Sequence, residues 1–63
     1  MKYYHKICPN GSKEWYLDGL THREDGPAVE YLNGYKQWYI HGNWIDCKDN
    51  QEFLRMIKLM AFL

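Results

Sequence analysis

Residues 12–18 and 35–41 each carry bulky strand-forming side chains between Gly-containing turns. Side chains alternate between the two faces of a strand. Trp15 therefore shares a face with Leu17, and Trp38 shares the matching face with Ile40. Tyr16, Tyr39 and Tyr35 point to the other side. After residue 49 the period changes. Phe53, Leu54, Ile57, Met60 and Ala61 recur at i, i+3, i+4 spacing, which predicts an amphipathic helix with Arg55 and Lys58 on its opposite side. Asp49-Asn50-Gln51-Glu52 reads as a capping box that starts this helix, with Asp49 as N-cap and Glu52 at N3.

Turn residues divide the earlier part. Asn10-Gly11 and Asn33-Gly34 predict tight hairpins with positive φ at both central residues. Asp18-Gly19 and His41-Gly42 close the other ends of the same strands. In Asp25-Gly26-Pro27, Gly supplies positive φ and Pro starts the next strand at fixed φ. These signals predict strands near 3–8, 12–18, 27–32 and 35–41, a short piece at 43–45, and a helix over 49–62. All nine Trp and Tyr lie at or before Trp44, and both Phe lie after it. The fold class is therefore α+β: an antiparallel β-meander of about four strands, arranged as two hairpin repeats in residues 1–46, packed against one C-terminal α-helix. With 63 residues the chain is a single domain. One helix can cover only one face of a small sheet, so the Trp15 and Trp38 face is the expected core, with Trp15, Leu17, Trp38, Ile40, Phe53 and Ile57 among the most buried residues.

The two hairpins are copies. Residues 10–19 align with residues 33–42 at a period of 23, with six identities in ten positions, Trp and Tyr among them. A fixed period of this length marks a repeated supersecondary unit. In the second copy Asn43-Trp44-Ile45-Asp46 stands where Leu20-Thr21-His22-Arg23 would recur.

The first unit reads Asn-Gly-x-Lys-x-Trp-Tyr-Leu-x-Gly-x-x-His-Arg-x-Asp-Gly-Pro-Ala over residues 10–28. It resembles the short MORN-like repeats of small phage and giant-virus proteins, and the tail is similar to the helix that often ends such chains. The chain departs from that pattern at Asp18 and His41, where Asn usually precedes Gly. The resemblance implies an interaction scaffold without shared catalytic residues. Specifically, it implies a phage-encoded protein that binds and modulates or inhibits a host protein, possibly a defence component, in the host cytoplasm.

Composition narrows the function. Eight Lys and Arg balance eight Asp and Glu, so no excess charge draws the chain to nucleic acid or an anionic membrane. The N-terminus has no apolar signal region, and residues 59–63 form too short an apolar run to span a bilayer. Two cysteines are too few for a disulfide framework, so Cys8 and Cys47 read as reduced, cytosolic thiols. His5-x-x-Cys8 with His41 and Cys47 has enough ligands for tetrahedral zinc, but no Cys-x-x-Cys pair and no matched spacing. Neither a metal nor another cofactor is expected. No Gly-rich phosphate loop or Ser/His/Asp layout is present.

His22-Arg23-Glu24-Asp25 brings together an acid, a base and a cation. One reading makes His22 a general base oriented by Asp25. The other makes His22, Arg23, Asp25, Gly26 and Pro27 a structural turn, with Asp25 capping it, and this second reading is adopted because the resembling repeats carry the motif many times. The chain is accordingly read as no enzyme.

The candidate partner-binding residues are Tyr16, Tyr31, Tyr35, Tyr39 and Trp44. They are either cross-strand neighbours that stabilise the sheet or a contact surface. The alternative function is a small-ligand or nucleotide sponge with an aromatic pocket at a subunit interface. Met56, Leu59, Phe62 and Leu63 widen the helix stripe beyond what one small sheet covers, so they are expected to form the interface of a homodimer or small homo-oligomer, with the edge strand at residues 3–8 as the competing route.

Overall fold

The computed structural model describes residues 2–60, the side chain of Met60 excepted. It contains β1 (Tyr3–Ile7), β2 (Lys13–Leu17), β3 (Leu20–Thr21), β4 (Val29–Glu30), β5 (Lys36–Ile40), β6 (Asn43–Ile45) and α1 (Asn50–Met60). The sheet runs β1-β2-β4-β5-β6, with β3 also pairing β2, and every pairing is antiparallel. The protein is thus an α+β meander with one C-terminal helix.

Two strands differ from expectation. Residues 20–21 form the additional strand β3, and β4 spans only Val29–Glu30 of the predicted 27–32. The additional strand follows from turn geometry. Asp18 and Gly19 have φ of 51° and 84°, the positive pair of a two-residue hairpin loop, so the chain doubles straight back onto β2. His41 and Gly42 repeat this at 49° and 79°.

The Asn-Gly turns are of a different kind from the one predicted. Asn10 and Asn33 do not have positive φ; Gly11 and Gly34 do, at 90° and 92°. Each is a three-residue loop. Gly11 N–H donates to Cys8 O at 2.9 Å and Cys8 N–H to Ser12 O at 2.8 Å. The glycine takes the left-handed position that follows the turn. Asn10 Oδ1 accepts from Ser12 N–H and Asn33 Oδ1 from Tyr35 N–H, both at 3.0 Å. The short amide side chain thus holds its own turn. Gly26 is not in the positive-φ region either. Its missing side chain serves packing, because a Cβ there would lie 3.0 Å from the Arg23 guanidinium carbon.

The repeat is conformational as well as sequential. Adding 23 to both members of Ile7↔Lys13, Lys6↔Glu14, Tyr16↔Thr21 and Leu17↔Leu20 gives four pairs that the second unit also forms.

The core is small: Leu17, Ala28, Val29, Trp38 and Phe53, with Ser12 and His22 as buried polar residues. Trp15, Ile40 and Ile57, expected among the most buried, are only half-buried, and Leu54 is exposed. The helix covers the sheet at one place. Phe53, fully buried, packs on Trp38 at 6.3 Å between ring centroids, and Trp38 Nε1–H donates to Asn50 Oδ1 at 3.1 Å. Asp49 Oδ1 accepts from Glu52 N–H at 2.8 Å, as an N-cap should. The Glu52 carboxylate reaches back to the Lys48 amide, one residue before the cap.

Candidate functional site

The register places the five candidate partner residues together. Glu14, Val29 and Gln37 are successive cross-strand neighbours on the face opposite Trp15 and Trp38. Alternation carries Tyr16 onto that face beside Glu14 and Tyr39 beside Gln37. Tyr39 is opposite Trp44. Tyr31 N–H donates to Tyr35 O at 2.8 Å, so these two continue the face toward the second loop, with rings 5.7 Å apart. Tyr4, not anticipated from sequence, joins them: it is the partner of Tyr16 in β1, with rings stacked 5.1 Å apart at 13°. It becomes visible only when the three-residue loop fixes the β1–β2 register. Tyr4, Tyr31, Tyr35 and Trp44 are exposed, whereas Tyr16 and Tyr39 are half-buried. The Tyr16 hydroxyl donates to Glu14 Oε1, and this bond, with burial and the nearby negative charge, pushes the phenol up to about 12.

The other face of the first unit is closed by the loop after β3. His22 is 2% exposed. Its Nδ1 accepts from His41 N–H at 2.9 Å, so the ring proton resides on Nε2, which donates to Glu24 Oε2 at 3.0 Å. Glu24 also accepts from the Tyr3 hydroxyl at 3.2 Å. The bonds from His22 and then Tyr3 hold the Glu24 carboxyl below the usual carboxylate range, and the same contact pushes the Tyr3 phenol up. The carboxylate partner of His22 is therefore Glu24, not Asp25. Asp25 instead accepts from Arg23 Nε–H at 2.8 Å, which lowers its pKa.

Arg23 ties the loop down. Its Nη1 donates to Pro27 O at 3.1 Å and to Glu30 Oε2 at 3.2 Å, and its guanidinium carbon lies 4.1 Å from the centroid of Trp15. Such a cation–π contact uses the apolar ring as part of an ion-pair network. His22, Arg23, Asp25, Gly26 and Pro27 thus form one connected turn. Both ring nitrogens of His22 are engaged, one by the His41 amide and one by Glu24, whose carboxylate is 61% exposed.

No group of three or more metal-ligating side chains occurs among the described residues. Cys8 and Cys47 are both free thiols, and burial together with Glu52 and the nearby Asp carboxylates pushes the Cys47 thiol up, away from reactivity. His5 stacks with Trp15 at 6.0 Å. On the helix, Leu59 is 68% exposed and Met56 half-buried; Phe62 and Leu63 lie outside the described residues. No helix among the described residues is long and apolar enough to cross a membrane.

No known protein family, no curated protein and no solved structure matches this chain.

Proposed function

We propose that this chain is a non-enzymatic protein-interaction module that presents its aromatic sheet face to a partner. The observation that carries this reading is the collection of Tyr4, Tyr16, Tyr31, Tyr35, Tyr39 and Trp44 on the face opposite the one that the helix covers. Tyr and Trp bring large contact area with few rotatable bonds and a polar tip, which makes them common anchors of protein interfaces. Through the MORN-like resemblance, the partner is a host protein, the source a phage and the compartment the host cytoplasm. The same resemblance supports a modulator or inhibitor. The exposed Leu59 supports a homodimer in which the helices meet. Affinity capture from host lysate with wild-type chain and with a Tyr39→Ala/Trp44→Ala variant tests the reading. One protein retained by the first and lost by the second is the expected result. Equal retention by both assigns binding elsewhere.

The sponge alternative draws on an open cavity of about 500 Å³ beside Tyr3, Tyr4, Trp15, Tyr16 and Arg23, where rings and a guanidinium line one space. Native mass spectrometry of the purified protein separates the two: a retained small molecule favours the sponge, a bare chain the module.

A further inference from the structure

The first repeat carries a strand on an edge that the second leaves open at Lys36, Trp38 there being paired with Ile45 of β6. In unit one, β4 lies on the outer edge of β2. Trp15 N–H donates to Ala28 O at 2.8 Å, and Lys13 stands opposite Glu30. The period of 23 maps Lys13 onto Lys36 and Glu14 onto Gln37. Tyr35 O accepts from Tyr31 N–H, so alternation turns the Lys36 backbone N–H and C=O the other way, toward the outer edge of β5. Among the described residues, β6 pairs with that edge only from Trp38 to Ile40, and no strand pairs with Lys36 there.

The space beside it is open. A cavity of about 830 Å³ lies against Lys36, Trp38, Trp44, Cys47 and Lys48. Its charges are unequal in what they are free to do. Of the four carboxylates around it, Asp25 and Glu30 are held by Arg23 and Asp49 caps the helix, which leaves Asp46 as the one carboxylate to set against two lysines. Lys36 and Lys48 make no ion pair among the described residues. Across the sheet, Lys13, Glu30 and Lys36 form an alternating row, which a carboxylate on the next strand would continue.

We propose that the outer edge of β5 at Lys36 is a strand-addition site for an extended partner segment of small residues followed by a carboxylate, of the Pro-Ala-Val-Glu kind that β4 supplies in unit one. The segment runs antiparallel to β5, with its carboxylate opposite Lys36 and its small residues in the cavity beside Trp38. Main-chain hydrogen bonds give the affinity of such a mode and the side chains its selectivity. A second copy fits less well. Its own Val29–Glu30 strand is already bonded on both sides, and its β1 would set Ile7, the period-equivalent of Glu30, against Lys36. The proposal rests on the interaction-module reading only in supposing that a partner protein exists; it concerns the sheet edge, whose cavity Tyr35 and Trp44 of the aromatic face also border.

The probe is the capped hexapeptide Gly-Pro-Ala-Val-Glu-Tyr, a copy of residues 26–31, titrated to millimolar concentration against the full labelled chain by NMR. Saturable shifts of the Lys36 amide and the Trp38 and Trp44 indole N–H signals are expected. A peptide carrying Glu30→Lys should bind about two- to fivefold more weakly, and Lys36→Glu in the protein should reverse that preference. N-methylation of the peptide's Glu amide should abolish the shifts. Tyr39→Ala should leave them intact, so failure of the aromatic face and failure of the edge read out separately. Absence of saturable shifts at millimolar peptide, or equal binding of the N-methylated peptide, overturns the proposal. So do concentration-dependent shifts of Lys36 and β1 in the protein alone, which would make the occupant a second copy.

Discussion

Trp15 and Trp38 occupy the same position of two repeats with the same backbone, yet Trp38 is buried and Trp15 only half so. The difference lies in what the chain does next. After β3 a polar loop lays Arg23 over Trp15, and the chain then returns along the same edge of β2 as β4. After β6 it enters a helix, whose Phe53 and Asn50 take Trp38 from ring and nitrogen. Turn residues and register make the repeat; the covering segment decides whether a given copy becomes a core or an ion-pair surface. The units are also joined asymmetrically. In unit one the amide of Asp18 donates to Lys2 O, a backbone carbonyl just before β1. In unit two the equivalent amide, that of His41, donates to His22 Nδ1, a side chain of the preceding unit.

The largest effect should come from uncovering Trp38. Phe→Ala in a core costs about 3–5 kcal/mol. A domain of this size has only about 3–9 kcal/mol in total. Phe53→Ala is therefore expected to remove about a third or more of the total stability, seen as a large fall in the denaturant midpoint followed by helical circular dichroism. Removing the cover of the other copy, by Arg23→Ala, should cost about 1–2 kcal/mol and leave a folded protein. Equal losses from the two variants would mean that the two Trp sites carry equal weight despite their different burial.

Next comes the lock between units. His22→Ala leaves the His41 amide without its acceptor and opens space in a buried site, at about 2–3 kcal/mol by denaturant titration. The same lock predicts acid sensitivity. Glu24 has its folded pKa below the usual value, so the stability it contributes is present above the unfolded carboxylate pKa and is lost as pH falls through the folded one. Glu24→Gln should flatten that part of the pH profile. An unchanged profile would place the acid sensitivity at other carboxylates.

Much of this architecture was legible in the sequence, and the parts that were not have two causes. The period, the helix with its Asp49 cap and the choice of core face follow from local residue chemistry. The buried Trp38, Leu17 and Phe53 follow from alternation and the apolar stripe. Which Gly-containing turn adopts paired positive φ did not follow. Asn-Gly supports two loop types, and the choice rests on Pro9 or Leu32 entering the loop, which lengthens it by a residue. The pairing of His22 with Glu24 rather than Asp25 depends on where Arg23 is pulled, by Trp15 and Glu30 from other strands. Tyr4 required the β1 register. The last two misses involve a partner that only the folded chain brings near; the loop type is a local choice that Asn-Gly leaves open.

A smaller effect sets the two positive-φ residues against each other. His41 at φ 49° pays a left-handed backbone cost that Gly would not, so His41→Gly should stabilise by about 0.5–1 kcal/mol. Asp18 at φ 51° carries the same strain, but its Oδ1 accepts from Lys2 N–H at 2.9 Å. Asp18→Gly gains the backbone term and loses that bond, so thermal unfolding should move little. A gain at Asp18 matching that at His41 would remove any role for the Lys2 contact.

The smallest effect follows from exchanging one atom pair between the copies. Glu14 and Gln37 are period-equivalent, as are Tyr16 and Tyr39, so unit one sets a carboxylate where unit two sets an amide. The Tyr16 hydroxyl donates to that carboxylate, and its pKa rises from the ordinary 10.0 to about 12. Raised in the folded state, the phenol contributes stability that is complete below the unfolded value of 10.0 and lost as pH climbs through about 12. Glu14→Gln makes unit one chemically like unit two at this point. It removes the charge that opposes phenolate formation, and the amide oxygen still accepts the hydroxyl proton. Stability at neutral pH should therefore change by less than about 0.5 kcal/mol, as for most surface substitutions. Tyrosinate absorbance, assigned to Tyr16 by its loss in Tyr16→Phe, should appear at lower pH in the variant, toward 10.0. If Tyr16 titrates at the same pH with and without the carboxylate, its shift comes from burial against Tyr4 rather than from Glu14. The copies would then differ in packing, not in charge.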